Sequence, residues 1–223
     1  MATGLRYPGK VVIVTGGTRG IGEAIVREFG ELREKNEEQG KAIVQELEYC
    51  GSPGEAYFQI CDVRCEKAIK VGWDSAGKGY ALPFIRKRKG NIINMSSIVG
   101  IFGDRKSPIF VATKGAVTAM TKALAIDESK HCVRVNSISP ANIWTPMWEK
   151  LANKDPDPEA AIQKGKDFQL MGRMGTPAEI AKAALFLAAD ATFCTGFDLV
   201  LSGGAELGFA HKSQVTPGCG SKN

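Results

Sequence analysis

Apolar residues fall along this chain in two patterns, short runs of strand length and longer stretches with helical spacing. The strand-length runs span residues 11–14, 57–60, 92–95, 133–138 and 199–201. Helical spacing covers residues 21–29, 40–49, 111–127 and 178–189. Because the strands are almost entirely apolar and alternate with helices, we expect a parallel sheet covered by helices on both faces. The pattern predicts an α/β protein with residues 11–14 near the centre of the sheet.

Local signals mark a helix start and the end of the folded domain. Thr176 and Pro177 are an N-cap and a first helical residue, with Glu179 in the first turn. From about His211 onward the chain is polar and contains Gly and Pro, which is typical of a disordered end. We predict one domain over residues 1–209 and a disordered tail over residues 210–223.

Composition and charge exclude several classes of protein. A chain of 223 residues with 43% hydrophobic residues can bury one sizeable core. The net charge of +5 comes from interspersed charges, and the basic run at residues 86–89 is better explained as a helix end than as a nucleic-acid contact. No apolar run reaches the ~18 residues of a membrane span, and residues 1–10 lack the apolar core of a signal peptide. The six cysteines have no CxxC spacing, so we expect a cytoplasmic protein without a metal site.

The most specific motif is a glycine-rich turn at residues 15–22, TGGTRGIG, between the strand at 11–14 and the helix at 21–29. Glycines at positions 16, 20 and 22 let the backbone turn sharply and approach a pyrophosphate, while the helix N-terminus supplies N–H donors and partial positive charge. Glycines also make ordinary tight turns. The spacing at the first strand–helix junction nevertheless favours dinucleotide binding.

Three segments together resemble the short-chain dehydrogenase/reductase family. The first is the TGxxxGxG turn, the second is residues 94–114, and the third is residues 139–148, SPANIWTPMW. The resemblance implies a Rossmann-like, doubly wound parallel sheet that binds a nicotinamide dinucleotide. It is dense over residues 1–29 and 91–209. Within 112–124, 142–149 and 203–208 it is closest to family members that oxidise the 17-hydroxyl of steroids.

The resemblance also implies a role for each matching residue. It assigns the catalytic positions to Ser97, Phe110 and Lys114. It assigns cofactor contacts to Gly16, Arg19, Gly20, Ile21, Gly22, Asp62, Val63, Lys114, Ile143 and Thr145. The implied reaction is oxidation of 17-hydroxysteroids or other secondary alcohols with NAD, with NADP left open, by a homo-oligomer that is a tetramer in relatives. Ala141 stands where the family has glycine, so a positive φ there would be strained.

Phe110 departs from the family in a way that changes the chemistry. The family has a tyrosine there, whose phenol exchanges a proton with the substrate oxygen while hydride moves to or from nicotinamide. The family's lysine lowers the pKa of that phenol and holds the ribose, and its serine orients the substrate oxygen. Phenylalanine has no proton to give, and a positioned general acid or base is worth ~10²–10⁴ in rate. Phe110 is then better described as a packed aromatic at a helix start.

Two internal segments of the family have no counterpart in this sequence. The run at residues 31–38 is charged and cannot be the buried second strand that ends in a ribose-binding acid. Between Asp62 and Ile92 there is no Asn-Asn-Ala-Gly, and the asparagine of the catalytic tetrad is missing too. We therefore predict a sheet that lacks two of the family's usual seven strands. With the family's strand numbers, the remaining strands would lie in an order such as 3-1-5-6-7, or else the chain would be poorly folded. A shortened gene product and real divergence both explain the gaps.

Two classes of function follow. The first is an oxidoreductase of steroid-like or other secondary alcohols, which the family resemblance favours. The second is a non-catalytic relative that binds a nucleotide weakly or acts through subunit assembly, which Phe110 and the missing segments favour.

Overall fold

The structure is a computed structural model that describes Tyr7 and residues 9–29, 41–45 and 81–208. The helices with complete bounds are α1 (Gly20–Phe29), α2 (Ala81–Lys87), α3 (Val99–Phe102), α4 (Pro108–Glu128), α5 (Pro146–Ala152), α6 (Pro158–Asp167) and α7 (Pro177–Leu185). The strands are β1 (Asn91–Met95), β2 (Arg134–Pro140) and β3 (Asp198–Leu201). A 3₁₀ turn (Ser129–His131) follows α4, a π-helical turn (Phe186–Asp190) follows α7, and residues 41–45 are helical.

The three strands form one parallel sheet in the order β1-β2-β3. Ile93 pairs with Asn136, and Ile138 pairs with Leu199. The strands predicted at 92–95, 133–138 and 199–201 are confirmed within one or two residues at either end. The parallel α/β architecture is confirmed with them. The strand predicted at 57–60 and the tail at 210–223 lie outside the described residues.

Residues 11–14 differ from the prediction, because they are not a strand of the described sheet. Val14 is buried and packs with Val26 of α1 and with Ile43, whereas Val11 is 85% exposed. An apolar run becomes a strand only where a neighbouring strand completes its ladder of hydrogen bonds. The strand predicted at residues 57–60, which would lie beside this segment in the order 3-1-5-6-7, falls outside the described residues.

Apolar side chains cover both faces of the sheet, as the pattern of buried strands predicted. On one face, α1 and α7 pack on the strands through a cluster that includes Ile138, Ile180 and Leu187. On the other face, Ala125 of α4 packs with Val133 and Val135. Neighbouring residues of a strand point to opposite faces, so β1 and β2 contribute to both layers.

Three helices begin with a residue whose side chain caps the helix and is followed directly by proline. Thr145 precedes Pro146, Asp157 precedes Pro158, and Thr176 precedes Pro177. The cap side chain accepts a hydrogen bond from a backbone N–H in the first turn, and proline needs no partner there. The start predicted at Thr176 is confirmed, and it forms a capping box with Glu179. The spacing of apolar residues did not predict α5 and α6, because that spacing is irregular in both helices. Their cap residues are nevertheless visible in the sequence.

The long helix α4 lies across the sheet. Among the described helices, the segment Pro108–His131 is long and apolar enough to cross a membrane by length and composition alone. Its inward face nevertheless carries polar contacts: Asn94 Nδ2 of β1 donates to Thr121 Oγ1 at 2.9 Å, and Arg86 of α2 pairs with the buried Glu128 at 2.6 Å. These contacts hold one side of α4 to β1 and α2, while most of the helix is exposed in the described structure. The Arg86 guanidinium also lowers the pKa of Glu128.

Candidate active site

The glycine-rich turn has the conformation that its sequence predicted. Gly16 has φ 77° and Gly20 has φ 59°, both in the left-handed region that glycine adopts most easily. A Cβ atom on Gly22 would lie 1.9 Å from the carbonyl oxygen of Gly16. Only glycine fits at position 22, because the turn folds its own backbone against the first turn of α1.

This turn leads directly into the ten-residue helix α1, whose free N–H groups lie at the turn. Thr18 is buried, while Arg19 is exposed beside the helix start. Ile21 packs inward against the cluster that joins α1 to α7. The turn thus presents backbone donors, one exposed cation and no side chain at Gly20 or Gly22, a cradle that fits a dinucleotide pyrophosphate.

The loop after β2 comes close to this turn. A Cβ atom on Gly20 would lie 3.5 Å from Thr145 Cγ2. The fold therefore places Thr145 next to the glycine-rich turn, although 125 positions separate it from Gly20 along the chain. Its hydroxyl oxygen accepts a hydrogen bond from the backbone N–H of Trp148 at 3.3 Å.

The same loop is held to the segment before α7. Ile143 forms a β-bridge with Gly175, and the N–H of Trp144 donates to the Gly175 carbonyl oxygen at 2.9 Å. A Cβ atom on Gly175 would lie 2.5 Å from Ile143 Cδ1, so that glycine makes room for the isoleucine. Ala141 does not have a positive φ, so it carries no strain where the family has glycine.

Ser97, Phe110 and Lys114 lie at the carboxyl end of β1 and the start of α4. Ser97 Oγ is 3.5 Å from the carbonyl oxygen of Pro140 at the end of β2. Phe110 and Lys114 are one helical turn apart, and Lys114 Nζ lies 5.8 Å from the centroid of the Phe110 ring. Phe110 is 47% exposed, so it is not the packed aromatic that we expected. Its ring lies on the same helix face as Lys114 and is about half exposed at the start of α4.

Lys114 is anchored by the strand rather than by an acid. Its Nζ donates to the Met95 carbonyl oxygen at 3.0 Å. Burial of the side chain lowers the pKa of its ammonium group. The amine is therefore held at a fixed place beside the end of β1.

Two further contacts fix this part of the site, and sequence reasoning missed both. The buried Ser96 hydroxyl donates to the Lys114 carbonyl oxygen at 2.9 Å and shares a hydrogen bond with Thr118. A Cβ atom on Gly100 would lie 2.6 Å from the Lys114 carbonyl carbon. The sequence signals for these two contacts were Ser96, at the end of a predicted strand, and Gly100, three residues after Ser97.

Asp62 and Val63, expected at the adenine, lie outside the described residues. Among the residues that the structure describes, no group of three or more His, Cys, Asp or Glu side chains could hold a metal ion. The described site therefore consists of the glycine-rich turn, the loop after β2, and the Ser97–Lys114 pair.

Comparison with known proteins identifies the family. A sequence profile described as enoyl-(acyl carrier protein) reductase matches residues 75–206. The chain is 46% identical to L-fucose dehydrogenase of Bos taurus and 44% identical to that of Mus musculus, over 97% and 96% of this chain and 97% and 94% of those proteins. The chain belongs to the short-chain dehydrogenase/reductase family. As a member of this family, the chain is an oxidoreductase.

A solved structure gives the same fold for this dehydrogenase/reductase. L-sorbose reductase from Gluconobacter frateurii, complexed with NADPH and L-sorbose, superposes with a TM-score of 0.82. The match covers 90% of this chain and 98% of that one at 24% sequence identity. The predicted Rossmann-like parallel fold is confirmed by this match.

Proposed function

We propose that this chain binds a nicotinamide dinucleotide and belongs functionally with the dehydrogenases that oxidise a secondary alcohol of a small polyhydroxy substrate. The observation that carries the proposal is the proximity of Thr145 to Gly20. It joins the turn suited to a pyrophosphate to the loop expected at the nicotinamide. NAD is the cofactor we expect by resemblance, and NADP stays open because the ribose-reading acid has no counterpart and Arg19 could accept a phosphate.

Each residue of the site has a role in this proposal. The backbone from Gly16 to Gly22 would hold the pyrophosphate, and Asp62 and Val63 the adenine. The Ile143 backbone and the Thr145 hydroxyl would hold the carboxamide. When bound, the cofactor supplies a hydride acceptor or donor.

The substrate end of the site uses the other residues. Ser97 would orient the substrate oxygen, and Lys114 would hold the ribose. Phe110 occupies the position of the family's proton-transferring tyrosine, where its ring can only pack against bound groups.

The relatives suggest the class of substrate. Those with the highest identities above are named L-fucose dehydrogenases, which favours a monosaccharide. Residues 112–124, 142–149 and 203–208 also resemble 17-beta-hydroxysteroid dehydrogenase type 14, so oxidation of a 17-hydroxysteroid stays a prediction. Both substrates present a secondary alcohol to the same site, and one assay can compare them.

The second candidate function is that of an impaired relative with only residual nucleotide binding or a role in assembly. Phe110 favours it, because the chain lacks the phenol that would exchange the proton. The alignment with the Bos taurus relative runs over 268 positions and this chain has 223 residues, so that relative has residues without counterparts here.

Assembly into a homo-oligomer is a further part of the proposal. The outer side of α4 exposes large apolar residues, with Ile109 at 80%, Ile126 at 74% and Met120 at 47%. A second copy of the chain could cover exposed apolar side chains of this size. Sedimentation velocity of the wild-type chain and of Ile126→Glu would test this, because the charge should leave only monomers.

Cofactor binding is tested by calorimetry with NAD and NADP. We expect weak binding to the wild-type chain and none to Gly22→Ala, because the added Cβ would clash with the Gly16 carbonyl oxygen. The control is Gly9→Ala, whose added Cβ meets no atom within 4 Å, so that it brings the backbone strain of a positive-φ position without a steric clash. A complex of micromolar or better affinity would contradict the proposed damage to the ribose site.

Activity is tested by nicotinamide absorbance with L-fucose and with estradiol as substrates. We expect almost no turnover by the wild-type chain and little rescue by Phe110→Tyr, because a tyrosine is useful only beside a positioned nicotinamide. In a version with residues 30–92 restored to full family length, Phe110→Tyr should raise turnover by ~10²–10⁴. Ready turnover by the unmodified chain would mean that another group supplies the proton.

A further inference from the structure

Asn142, at the start of the loop after β2, uses each of its polar groups in a hydrogen bond inside the protein. Its Nδ2 donates to the Gly165 carbonyl oxygen in α6 at 3.0 Å, and its Oδ1 accepts from the Trp148 indole N–H in α5 at 3.3 Å. Its backbone N–H donates to Gln169 Oε1 at 3.0 Å, and its carbonyl oxygen accepts from the Gly175 N–H at 2.9 Å. One residue thus ties the loop to α5, to α6 and to the segment before α7.

Gln169 completes this set of contacts from the other side. Its side chain is buried, and its Nε2 donates to the Arg173 carbonyl oxygen while its Oε1 accepts from Asn142. Breaking either bond would leave a buried polar group without a partner, which is unfavourable. The amide of Gln169 therefore fixes the start of the loop after β2 against the turn that leads to α7.

The helices α5 and α6 meet at the same point. A Cβ atom on Gly165 would lie 2.6 Å from Trp148 Cη2, so the indole ring lies directly on the bare backbone of α6. The ring and the Asn142 amide reach Gly165 from two sides, since the amide bonds its carbonyl oxygen. This contact fixes α5 relative to the loop that precedes it.

The loop that begins at Asn142 carries Ile143 and Thr145, to which holding the nicotinamide carboxamide is assigned above. A loop already held in its bound shape loses less conformational freedom when the ligand binds, so it binds more tightly. We propose, on the basis of that dinucleotide site, that Asn142 is a positioning residue that holds this loop in the shape that the carboxamide requires. Asn142 acts through Ile143 and Thr145, because its own polar groups are already bonded within the protein.

A matched pair of asparagine variants separates positioning from general stability. Asn142→Ala removes both side-chain hydrogen bonds of Asn142, and Asn136→Ala is the control. Asn136 lies inside β2, is fully buried, and bonds the Cys194 carbonyl oxygen and the Phe197 N–H through its own amide. It does not contact the loop after β2 through these bonds. The control should therefore lose at least as much stability in urea unfolding, without a change in the loop.

Calorimetry with NAD and with ADP-ribose, which lacks the nicotinamide, gives the specific measurement. We expect the wild-type chain to bind NAD more tightly than ADP-ribose, and Asn142→Ala to reduce the ratio of the two affinities by about tenfold. Asn136→Ala should leave this ratio unchanged. Trp148→Phe removes only the indole N–H and keeps a ring over Gly165, so it should reduce the ratio less. A wild-type chain without a preference for NAD, or equal losses of the ratio in Asn142→Ala and Asn136→Ala, would overturn the proposal.

Hydrogen exchange of the cofactor-free chain measures the loop itself. The N–H groups of Trp144 and Gly175, which bond across the loop, should exchange several-fold faster in Asn142→Ala than in the wild-type chain, and at the wild-type rate in Asn136→Ala. Unchanged exchange in Asn142→Ala of a chain that binds NAD would overturn the positioning role alone. A wild-type chain that binds neither NAD nor ADP-ribose would instead refute the dinucleotide site, and the positioning role with it.

Discussion

The segment at residues 9–29 and the region at residues 81–208 are held in place by different kinds of interaction. In the second region, β2 has a parallel neighbour on each side, and three helices begin with a capped turn. In the first segment, residues 11–14 are not part of the described sheet, and α1 is attached by side chains, packing mainly on α7. Phe29 at the end of α1 also meets the ring of Tyr7 edge-on at 5.7 Å.

The difference shows where the candidate cofactor site is vulnerable. The Ser97–Lys114 pair rests on hydrogen bonds between β1 and α4, whereas the glycine-rich turn keeps its position through apolar contacts made by α1. A loss of packing under α1 should therefore affect the turn before it affects the pair. The following changes test this dependence.

The largest effect is expected from Ile180→Ala, which removes the fully buried α7 side chain in the cluster that α1 joins. Truncation of a buried isoleucine costs about 4 kcal/mol. Urea unfolding should show this loss, and dinucleotide binding should be lost with it. Val11→Ala is the control, since Val11 is 85% exposed and its truncation should change the free energy of unfolding very little. Normal binding by a destabilised Ile180→Ala chain would mean that α1 is positioned by something other than this cluster.

A smaller effect is expected from Arg134→Met, which acts inside the second region. The Arg134 guanidinium donates to the carbonyl oxygens of Leu187, Ala188, Ala191 and Cys194, at 2.8, 2.9, 3.0 and 3.4 Å. Without it all four oxygens lose this donor, although the Cys194 oxygen keeps a bond from Asn136 Nδ2 and the Ala191 oxygen keeps one from the Cys194 N–H. We therefore expect a cost of about 2 kcal/mol. Urea unfolding measures the cost, and Arg134→Lys should recover part of it because the charge remains. Full stability of Arg134→Met would indicate that water replaces the guanidinium.

The smallest effect is expected at Glu179, which closes the capping box of α7. The Arg173 guanidinium lowers the pKa of Glu179 from 4.5 to about 2, opposed by burial and helped by the backbone N–H of Thr176. Because the folded chain favours the ionised form, this stability is complete above about pH 4.5 and decreases as the pH falls toward 2. The carboxylate is 41% exposed, so we expect only about 1 kcal/mol.

Glu179→Gln isolates that contribution. The wild-type chain should be more stable than the variant at pH 7, and the difference should shrink between pH 4.5 and pH 2. Urea unfolding at both ends of this range measures it. A difference that does not change with pH would assign the effect to the shape of the side chain rather than to its charge.

Sequence patterns predicted the second region well because its strands and helices are specified locally. The run that predicted β2 rests on Val133, Val135 and Ile138, although the strand also buries polar residues. The cap of α7 is visible in the sequence, and the spacing of Ser97 and Lys114 places both at one end of the sheet. The proximity of Gly20 and Thr145 could be expected only through the family resemblance. The exposure of Phe110 and the four carbonyl contacts of Arg134 could not be predicted, because they depend on how distant segments pack.

The close approach of Gly100 to the backbone of Lys114 has a consequence for how this site can change. Two stretches of bare main chain touch there, so no side chain sets the gap between them. Substitutions elsewhere can therefore change which molecules the candidate site binds without changing the distance between Ser97 and Lys114. In a library of variants that keep Ser96, position 100 should tolerate only glycine while its other neighbours vary, which makes the local geometry robust to most other mutations.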